Sequence, residues 1–240
     1  MNIDSKVLLD LSNLKITPKI TKISTKAIKN GYFCHKNKVF YSKNNKNKFL
    51  FDIKNCKLFG NHNLSNILIA TAICKKLGVK NNDIQKAITE FVPLKHRLQF
   101  VKNVNGVEYY NDSKSTSPDS TITAINSFSK KPIILLLGGS DKNTKFDKLA
   151  KKIAKSTVKF VVLSGYTAKQ IGCSLKKAGF KNYITAKSFD EAVMLATQIA
   201  KVGDVVLLSP ACASFDYFKN YCERGEQFEK LVQSIKTNQT

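Results

Sequence analysis

The run from Asn111 to Ser120, NDSKSTSPDS, brings a carboxylate, an ammonium and three hydroxyls into its first six positions. It follows an apolar stretch at residues 106–110. It leads into Ser117, a favoured N-cap residue, and Pro118, which is favoured at the first helical position. Free backbone N–H groups at a helix start attract anions. The run therefore predicts an anion-binding loop between a strand and a helix, the alternative being an ordinary polar loop with a cap.

Two further loops have a similar character. The GGSDK segment at residues 138–142 follows one apolar run, and the SPACAS segment at residues 209–214 follows another. In a parallel sheet the carboxyl ends of the strands meet at one edge, where open α/β proteins bind their ligands. We therefore expect these two loops and the loop after residue 110 to converge on one crevice.

Several side chains in these segments suit the binding of an anion. Lys114, Lys142 and Arg97 would together surround a polyanion such as a nucleotide phosphate or a dicarboxylate. Asp112 would accept a hydrogen bond from a ribose hydroxyl or position a metal ion. The segments therefore predict a ligand that carries several negative charges.

Other side chains bear on the type of chemistry. The hydroxyls of Thr116 and Ser214 would orient a ligand without adding charge. No Ser-His-Asp or Cys-His nucleophile is evident, because His96 is the only histidine nearby and Cys212, interpreted as a packing residue, has no assigned base. The sequence also contains no G-x-x-x-x-G-K-[ST] phosphate loop. If a triphosphate binds, another segment must hold its phosphates.

A formal net charge of +23 raises the alternative of a basic module that binds DNA or RNA. The way this charge is built disfavours nucleic acid, because only two of the 40 basic residues are arginines and the lysines are spread through the chain. Nucleic-acid readers favour the planar fork of arginine. Arg97 and Arg224 are therefore candidates for positions that need that fork, with chance retention or a structural ion pair as the alternatives for each.

Nothing in the sequence indicates secretion or a membrane. No apolar run approaches the roughly 18 residues of a membrane span, and the amino terminus has no basic segment leading into an apolar one. The six cysteines form no CxxC pair and show no metal-ligand spacing with the three histidines. We therefore expect a cytoplasmic protein with no metal ligands in this chain.

The order of predicted elements changes at a proline, which places a boundary at residues 92–95. After it, strands and helices alternate, which predicts an α/β fold with a mainly parallel sheet covered on both faces. The predicted strands there are 106–110, 133–137, 159–164, 183–185 and 205–209, and the helices are 118–128, 146–156, 167–178, 189–200 and most of 215–235. Before it, the sequence predicts strands at 21–24, 32–35, 38–42, 48–53 and 56–58 and helices at 63–77 and 82–91, the second capped by Asn81.

The motifs occur in the order seen in the Mur ligases, and the chain resembles that family essentially from Asn2 to Ile235. The resemblance rests on HNLSN at 62–66, HR at 96–97, NDSKST at 111–116, GGSDK at 138–142 and LSPACASFDYFKNY at 208–221. The last motif, continuing as ERGEQF at 223–228, most resembles the members that add D-glutamate. Mur ligases have a UDP-binding domain, a central ATPase domain and a C-terminal Rossmann-like domain.

This resemblance implies a domain assignment. Residues 1–92 would be the C-terminal part of the central ATPase domain, and residues 93–240 would be the complete C-terminal domain. The UDP-binding domain, the phosphate loop, the magnesium-binding Glu and His and the modified lysine would be missing. The chain is therefore expected to bind ligands but to be inactive alone, with a complementing N-terminal polypeptide as a further partner. The alternative is a non-catalytic Mur ligase relative that acts as a subunit.

The resemblance also implies substrates and site residues. The family uses ATP and Mg²⁺ to turn the carboxylate of UDP-N-acetylmuramoyl-L-alanine into an acyl phosphate, which the amine of D-glutamate attacks in peptidoglycan precursor synthesis. The residues implied to contact ATP are Asn66, Arg97 and Asp112. Those implied to shape the D-glutamate site are Lys114, Thr116, Lys142, Ser214 and Tyr221, with the two lysines as the catalytic residues. Tyr221 departs from the family, which usually has Phe there.

Overall fold

The computed structural model describes residues 20–58, 60–128, 130–141 and 143–236. The chain divides into two compact units, Met1–Pro93 and Leu94–Thr240. Each unit has its own sheet and its own hydrophobic core.

The first unit is built on a four-stranded sheet. Its strands, in spatial order, are β1 (Ile23–Ser24), β2 (Gly31–His35), β3 (Lys38–Lys43) and β4 (Lys46–Asp52). β1 runs parallel to β2, whereas β2, β3 and β4 form an antiparallel meander. Both meander turns are two-residue loops, Lys36–Asn37 and Asn44–Asn45, with positive φ at each position. Such loops match the twist of the flanking strands, and asparagine tolerates that conformation well.

In the described part of the first unit, the sheet is accompanied by two helices, α1 (Asn61–Lys76) and α2 (Asn81–Glu90). One face of the sheet packs against them. The buried side chains of this core are Ile23, Tyr32, Cys34, Val39, Leu50, Phe51, Ile53, Leu68, Ala72 and Ile84.

Two local predictions for this unit are wrong. Residues 56–58 form no strand, because the backbone N–H of Cys56 turns back to donate to the carbonyl oxygen of Ile53 at 3.0 Å. Asn81 is not a helix cap, because Lys80 occupies that position without a side-chain bond. The Asn81 amide instead donates to the carbonyl oxygen of Leu50, 3.2 Å away, and so ties α2 to β4.

The second unit contains a six-stranded sheet. Its strands are β5 (Gln99–Val104), β6 (Val107–Asn111), β7 (Ile133–Gly138), β8 (Val158–Ser164), β9 (Tyr183–Thr185) and β10 (Val205–Leu208). Their spatial order is β5-β6-β10-β7-β8-β9, and only the edge strand β5 is antiparallel to its neighbour. The prediction of an α/β fold with a mainly parallel sheet is confirmed.

Five helices cover both faces of this sheet. They are α3 (Pro118–Ser127), α4 (Asp147–Ala154), α5 (Ala168–Lys177), α6 (Phe189–Ile199) and α7 (Tyr221–Ser234). The central strand β7 is buried throughout and sends Leu135 to the core under α3, α4 and α5 and Leu136 to the core under α6 and α7. Within the part of the chain that the structure describes, no helix has the length and apolarity of a membrane span.

Three further outcomes concern element boundaries in this unit. Ser117 caps α3 as predicted, in a reciprocal capping box with Ser120, and Pro118 follows at the first helical position. β5 was not predicted. Most of residues 215–235 is helical, as predicted: residues 215–220 form a loop, and α7 begins at Tyr221, capped by the Asn220 side chain.

The exit from β7 requires a glycine, which gives a test of the fold. Gly138 has φ 119°, and a Cβ there would lie 1.9 Å from the carbonyl oxygen of Ser164. Gly179 also has a positive φ, 80°, but has open space around it. We expect Gly138→Ala to lower the free energy of unfolding by at least about 2 kcal/mol more than Gly179→Ala. Urea unfolding followed by circular dichroism measures both, and equal losses would contradict the described β7–β8 contact.

Candidate functional site

Three loops meet at the carboxyl edge of the second sheet: the β6 loop (residues 112–117), the β7 loop (residues 139–141) and the β10 loop (residues 209–220). Backbone hydrogen bonds join them. The N–H of Ala211 donates to the carbonyl oxygen of Ser115 at 3.0 Å, and the N–H of Ser140 donates to that of Ala213 at 2.9 Å. The order β6-β10-β7 puts these loops side by side, so the expected convergence is observed.

The guanidinium of Arg224, which is 2% exposed, holds the β6 and β10 loops together from below. Its Nε donates to the Ser113 hydroxyl at 2.9 Å, and its Nη2 donates to the Ser113 carbonyl at 2.9 Å. On the other side, Nη2 and Nη1 donate to the carbonyls of Cys212, at 3.1 Å, and Ala213, at 3.2 Å. This geometry uses the planar fork of arginine on two loops at once.

Burial of the Arg224 guanidinium lowers its pKa to about 10, and the nearby Asp216 and Cys212 oppose that shift. The side chain therefore stays charged at neutral pH. Among the described residues, no carboxylate is bonded directly to it. Its charge is instead solvated by peptide carbonyls and a hydroxyl, which makes the position of each bonded loop oxygen costly to change.

Asp112 plays a similar part from within the β6 loop. Its Oδ1 accepts from the backbone N–H of Leu98 at 3.1 Å, and its Oδ2 accepts from the Ser209 hydroxyl at 2.8 Å. Burial raises the pKa of the Asp112 carboxyl from 3.8 to about 6, although hydrogen bonds from Ser115, Ser209 and Leu98 and the charge of Arg97 work in the opposite direction. The carboxyl group thus links the β6 loop, the β10 loop and the turn before β5.

The turn at residues 96–98 has unusual backbone geometry. His96 and Leu98 both have positive φ, 61° and 45°, which is strained for residues with side chains. Side-chain acceptors hold both N–H groups: the Gln99 Oε1 accepts from His96 at 2.7 Å and Asp112 accepts from Leu98. Arg97 lies between these two residues with its side chain exposed. The strained turn therefore presents Arg97 to solvent from a fixed backbone.

A buried polar network connects this turn to α7. The Asn111 amide lies 2.9 Å from Nδ1 of His96 and donates to the carbonyl oxygen of Gly225 at 3.0 Å and to Oε1 of Glu229 at 2.7 Å. Gly225 has no room for a side chain, since a Cβ would lie 2.2 Å from Nδ1 of His96. The carbonyl of His96 accepts from the backbone N–H of Lys114, which fixes the base of the β6 loop.

The residues predicted to bind D-glutamate lie on these loops. The ammonium of Lys114 is 5.3 Å from the ring centre of Tyr221, in cation–π geometry, and 3.4 Å from its hydroxyl. Thr116 is exposed on the β6 loop, and Ser214 is buried in the β10 loop. The structure thus brings Lys114 and Tyr221 into contact and puts the two hydroxyl-bearing residues on the two loops that Arg224 joins.

The structure does not put the other two predicted residues, Asn66 and Lys142, on these loops as described. Asn66 is exposed on α1 in the first unit. Lys142 falls outside the described residues, so its predicted role stays a prediction. Within residues 20–58, 60–128, 130–141 and 143–236, no group of three or more His, Cys, Asp and Glu side chains could hold a metal ion.

Cys212 is the one cysteine in these loops. Its Sγ lies 3.3 Å from the Thr167 hydroxyl in the core under the β7 loop. Burial raises the pKa of this thiol to about 11, which keeps it protonated at neutral pH. A protonated thiol is a poor nucleophile, in line with the interpretation of Cys212 as a packing residue.

Several residues that organise this edge were not among the predicted site residues; Arg224, Gln99 and Glu229 are examples. The scarcity of arginine had marked Arg224 as a candidate for a position that needs a planar fork, and the structure gives it that role. Gln99 and Glu229 carried no local signal, because they act on residues brought close only by the fold.

Comparison with known proteins gives the class to which this chain belongs. Residues 96–212 match the family described as Mur ligase, glutamate ligase domain. The UDP-N-acetylmuramate-alanine ligase of Thermotoga maritima has a similar fold, with a TM-score of 0.60 at 19% identity over 90% of this chain and 48% of that one. The MurF ligase of Thermotoga maritima, whose structure is a complex with ADP, gives a TM-score of 0.56 at 14% identity over 89% of this chain and 49% of that one.

Curated relatives narrow the class. The UDP-N-acetylmuramoylalanine--D-glutamate ligase of Aquifex aeolicus is 41% identical over 231 residues, 96% of this chain and 53% of the relative. The ligase of the same name from Clostridioides difficile is 39% identical over 237 residues, 98% of this chain and 52% of the relative. The chain belongs to the Mur ligase family, and these relatives are ligases named for D-glutamate. It spans about half the length of the curated relatives it matches.

The arginine fork can be tested by a substitution that keeps its charge. Arg224→Lys would leave several of the four bonded loop oxygens without a donor, in a buried place that water does not reach. We expect it to lower the free energy of unfolding by about 3 kcal/mol. Arg97→Lys is the matched control, because Arg97 is exposed, and should change stability by less than about 0.5 kcal/mol. Chemical denaturation measures both, and a small effect of Arg224→Lys would overturn the role given to the fork.

The raised pKa of Asp112 predicts a pH dependence. Between pH 4 and pH 6 the folded state holds a proton on this carboxyl that the unfolded state has lost, so stability falls as pH rises through that window and levels off above it. The total change is on the order of 3 kcal/mol. Asp112→Asn removes this titration. The difference in unfolding free energy between the natural chain and Asp112→Asn should therefore decrease from pH 4 to pH 7, and a constant or rising difference would contradict the assignment.

Proposed function

We propose that this chain supplies the D-glutamate side and part of the ATP side of a ligase that adds D-glutamate to UDP-N-acetylmuramoyl-L-alanine in peptidoglycan precursor synthesis. The observation that carries the proposal is 41% identity, over 96% of the chain, to a ligase named for this activity. The loops described above lie within or next to the matched glutamate ligase domain at residues 96–212.

The charges at the sheet edge fit an anionic nucleotide. Arg97 is exposed on its strained turn, and Lys114 is half-buried on the adjoining β6 loop. ATP supplies the phosphoryl group that turns a carboxylate, which is a poor electrophile, into an acyl phosphate with a good leaving group. Arg97 and Asn66 are proposed to contact ATP. Asp112, whose carboxylate oxygens are bonded inside the protein, is proposed to act on ATP chiefly through the turn that carries Arg97.

The same edge fits D-glutamate. A dicarboxylate needs cations for its charges and neutral donors for its orientation. Lys114 provides one cation, fixed in place by the face of the Tyr221 ring, and Lys142 is proposed to provide a second. The hydroxyls of Thr116 and Ser214 are proposed to orient the carboxylates. Holding both carboxylates leaves the amine of D-glutamate free to attack the activated carbonyl.

The domain assignment belongs to the same proposal. Residues 1–92 are proposed to belong to a central ATPase domain and residues 93–240 to form the C-terminal domain. Because the sequence has no phosphate loop, we expect the main ligands of the phosphates and of Mg²⁺ to come from another segment or polypeptide. The cytoplasm is the proposed compartment, since all six cysteines are free thiols.

Phosphate release tests the function directly. With UDP-N-acetylmuramoyl-L-alanine, ATP, Mg²⁺ and D-glutamate, this chain alone is expected to show no turnover. Co-expression with the part of the Aquifex aeolicus ligase that has no counterpart in this chain should give turnover that requires D-glutamate. L-Glutamate should not replace it. Turnover by the chain alone, or equal rates with both enantiomers, would contradict the proposal.

Two lysine variants locate the D-glutamate site in that assay. Lys114→Met removes the ammonium at the sheet edge and should lower the rate by about 10²-fold or more, because a charge contact to the reacting substrate is lost. Lys148→Met is the matched control, since Lys148 is exposed and paired with Asp119 on α3. It should leave the rate unchanged. An equal effect of the two substitutions would remove Lys114 from the site.

A further inference from the structure

Helix α1 is apolar on two opposite faces. At 100° per residue, Ile67, Leu68, Thr71 and Ala72 form one face, and this face is buried in the core of the first unit. The opposite face carries Ile69, Ala70 and Ile73, and Leu77, the C-cap residue of α1, continues it; these four residues are named here the α1 stripe. The large side chains of the stripe are 41%, 55% and 76% exposed for Ile69, Ile73 and Leu77.

This pattern is not the one expected for a helix with one face exposed to solvent. A surface helix has one apolar face and a polar opposite face, whereas a helix that is apolar all round is normally covered on both sides. The neighbouring α2 follows the surface pattern, with Ile84 buried and Asn82, Asp83, Lys86 and Glu90 exposed. The α1 stripe is therefore a face built for contact.

The α1 stripe continues a residue already implicated in nucleotide binding. Asn66, proposed to contact ATP, lies three residues before Ile69 and four before Ala70, so it shares their face of the helix. A protein surface that covers the stripe would end beside Asn66. The occupant of the stripe and ATP would thereby be brought to the same end of α1.

We propose that the α1 stripe docks the phosphate-loop-bearing part of the ligase, by an apolar surface of that part. This inference rests on the proposed function, since it takes Asn66 as an ATP contact. The relatives support the choice of occupant, because this chain accounts for only 53% of the length of the Aquifex aeolicus ligase. A second copy of this chain fits less well, because Lys76 borders the stripe and a chain of net charge +23 repels its own copies.

The test uses the full chain with a tag and the co-expressed remainder of the Aquifex aeolicus ligase as the probe. The natural chain should form a one-to-one complex in size-exclusion chromatography. Ile73→Lys should weaken binding by at least about tenfold, because it puts a charge into an apolar contact. Met194→Lys is the matched control, since Met194 is 52% exposed on α6, and it should bind the probe as the natural chain does.

Three outcomes would overturn the proposal. One is absence of a complex with the natural chain. Another is equal binding by Ile73→Lys and Met194→Lys. A third is a dimer of the chain alone that Ile73→Lys dissociates, since a second copy would then occupy the stripe. Thermal unfolding of isolated Ile73→Lys should match that of the natural chain, and a large loss would show that the face is already covered.

The docking test and the function test can fail independently. A complex that Ile73→Lys breaks but that releases no phosphate would retain the docking surface and reject the proposed function. Phosphate release that depends on D-glutamate and is equal in Ile73→Lys and Met194→Lys would retain the function and reject the surface.

Discussion

The buried guanidinium of Arg224 is the constraint on which the geometry of the sheet edge depends. Its four hydrogen bonds end on Ser113, Cys212 and Ala213, and each bonded residue is next to or near a side chain with a proposed role in binding D-glutamate. A charge out of contact with water needs all of its partners, so neither loop can shift without leaving a donor unsatisfied. The position of Lys114 relative to Ser214 is thus set by an interaction that touches neither.

Asp112 constrains the same loops, but the balance between the cost of burying its charge and the hydrogen bonds that stabilise that charge differs from the balance at Arg224. Arg224 keeps its charge because even a lowered pKa stays well above neutrality, whereas the pKa of Asp112 is raised into the mildly acidic range. Three hydrogen-bond donors are not enough to offset the cost of burying the carboxylate. Its charged form is nevertheless the one that holds the strained turn at Leu98 most strongly, because a carboxylate is the better acceptor. Loss of the proton from Asp112 therefore lowers the free energy of unfolding, but it fixes the turn that carries Arg97 more firmly.

The sequence predicts those features that depend on neighbours along the chain or on strand direction. Ser117 and Pro118 mark the start of α3 locally, and the loops converge because parallel strands end at one edge. β5 was missed because its QFVKNV sequence lacks clear alternation, although Asn105–Gly106 is a strong hairpin signal of the kind that could have revealed it. The contacts of Arg224 with Ser113 could not be predicted, since they join residues 111 positions apart.

The two units differ in how far the residues with proposed ligand contacts are held in place by their own unit. In the second unit, Lys114, Tyr221 and the turn that carries Arg97 are held by hydrogen bonds and ring contacts that close within the unit. In the first unit, Asn66 stands on the face of α1 that also carries the exposed apolar side chains of Ile69 and Ile73. A preformed loop loses little conformational entropy when a ligand binds, so the described residues with proposed contacts to D-glutamate are held in place without another surface. The apolar face beside Asn66, which is proposed to contact ATP, is different, because it gains hydrophobic stabilisation only when another surface removes it from water.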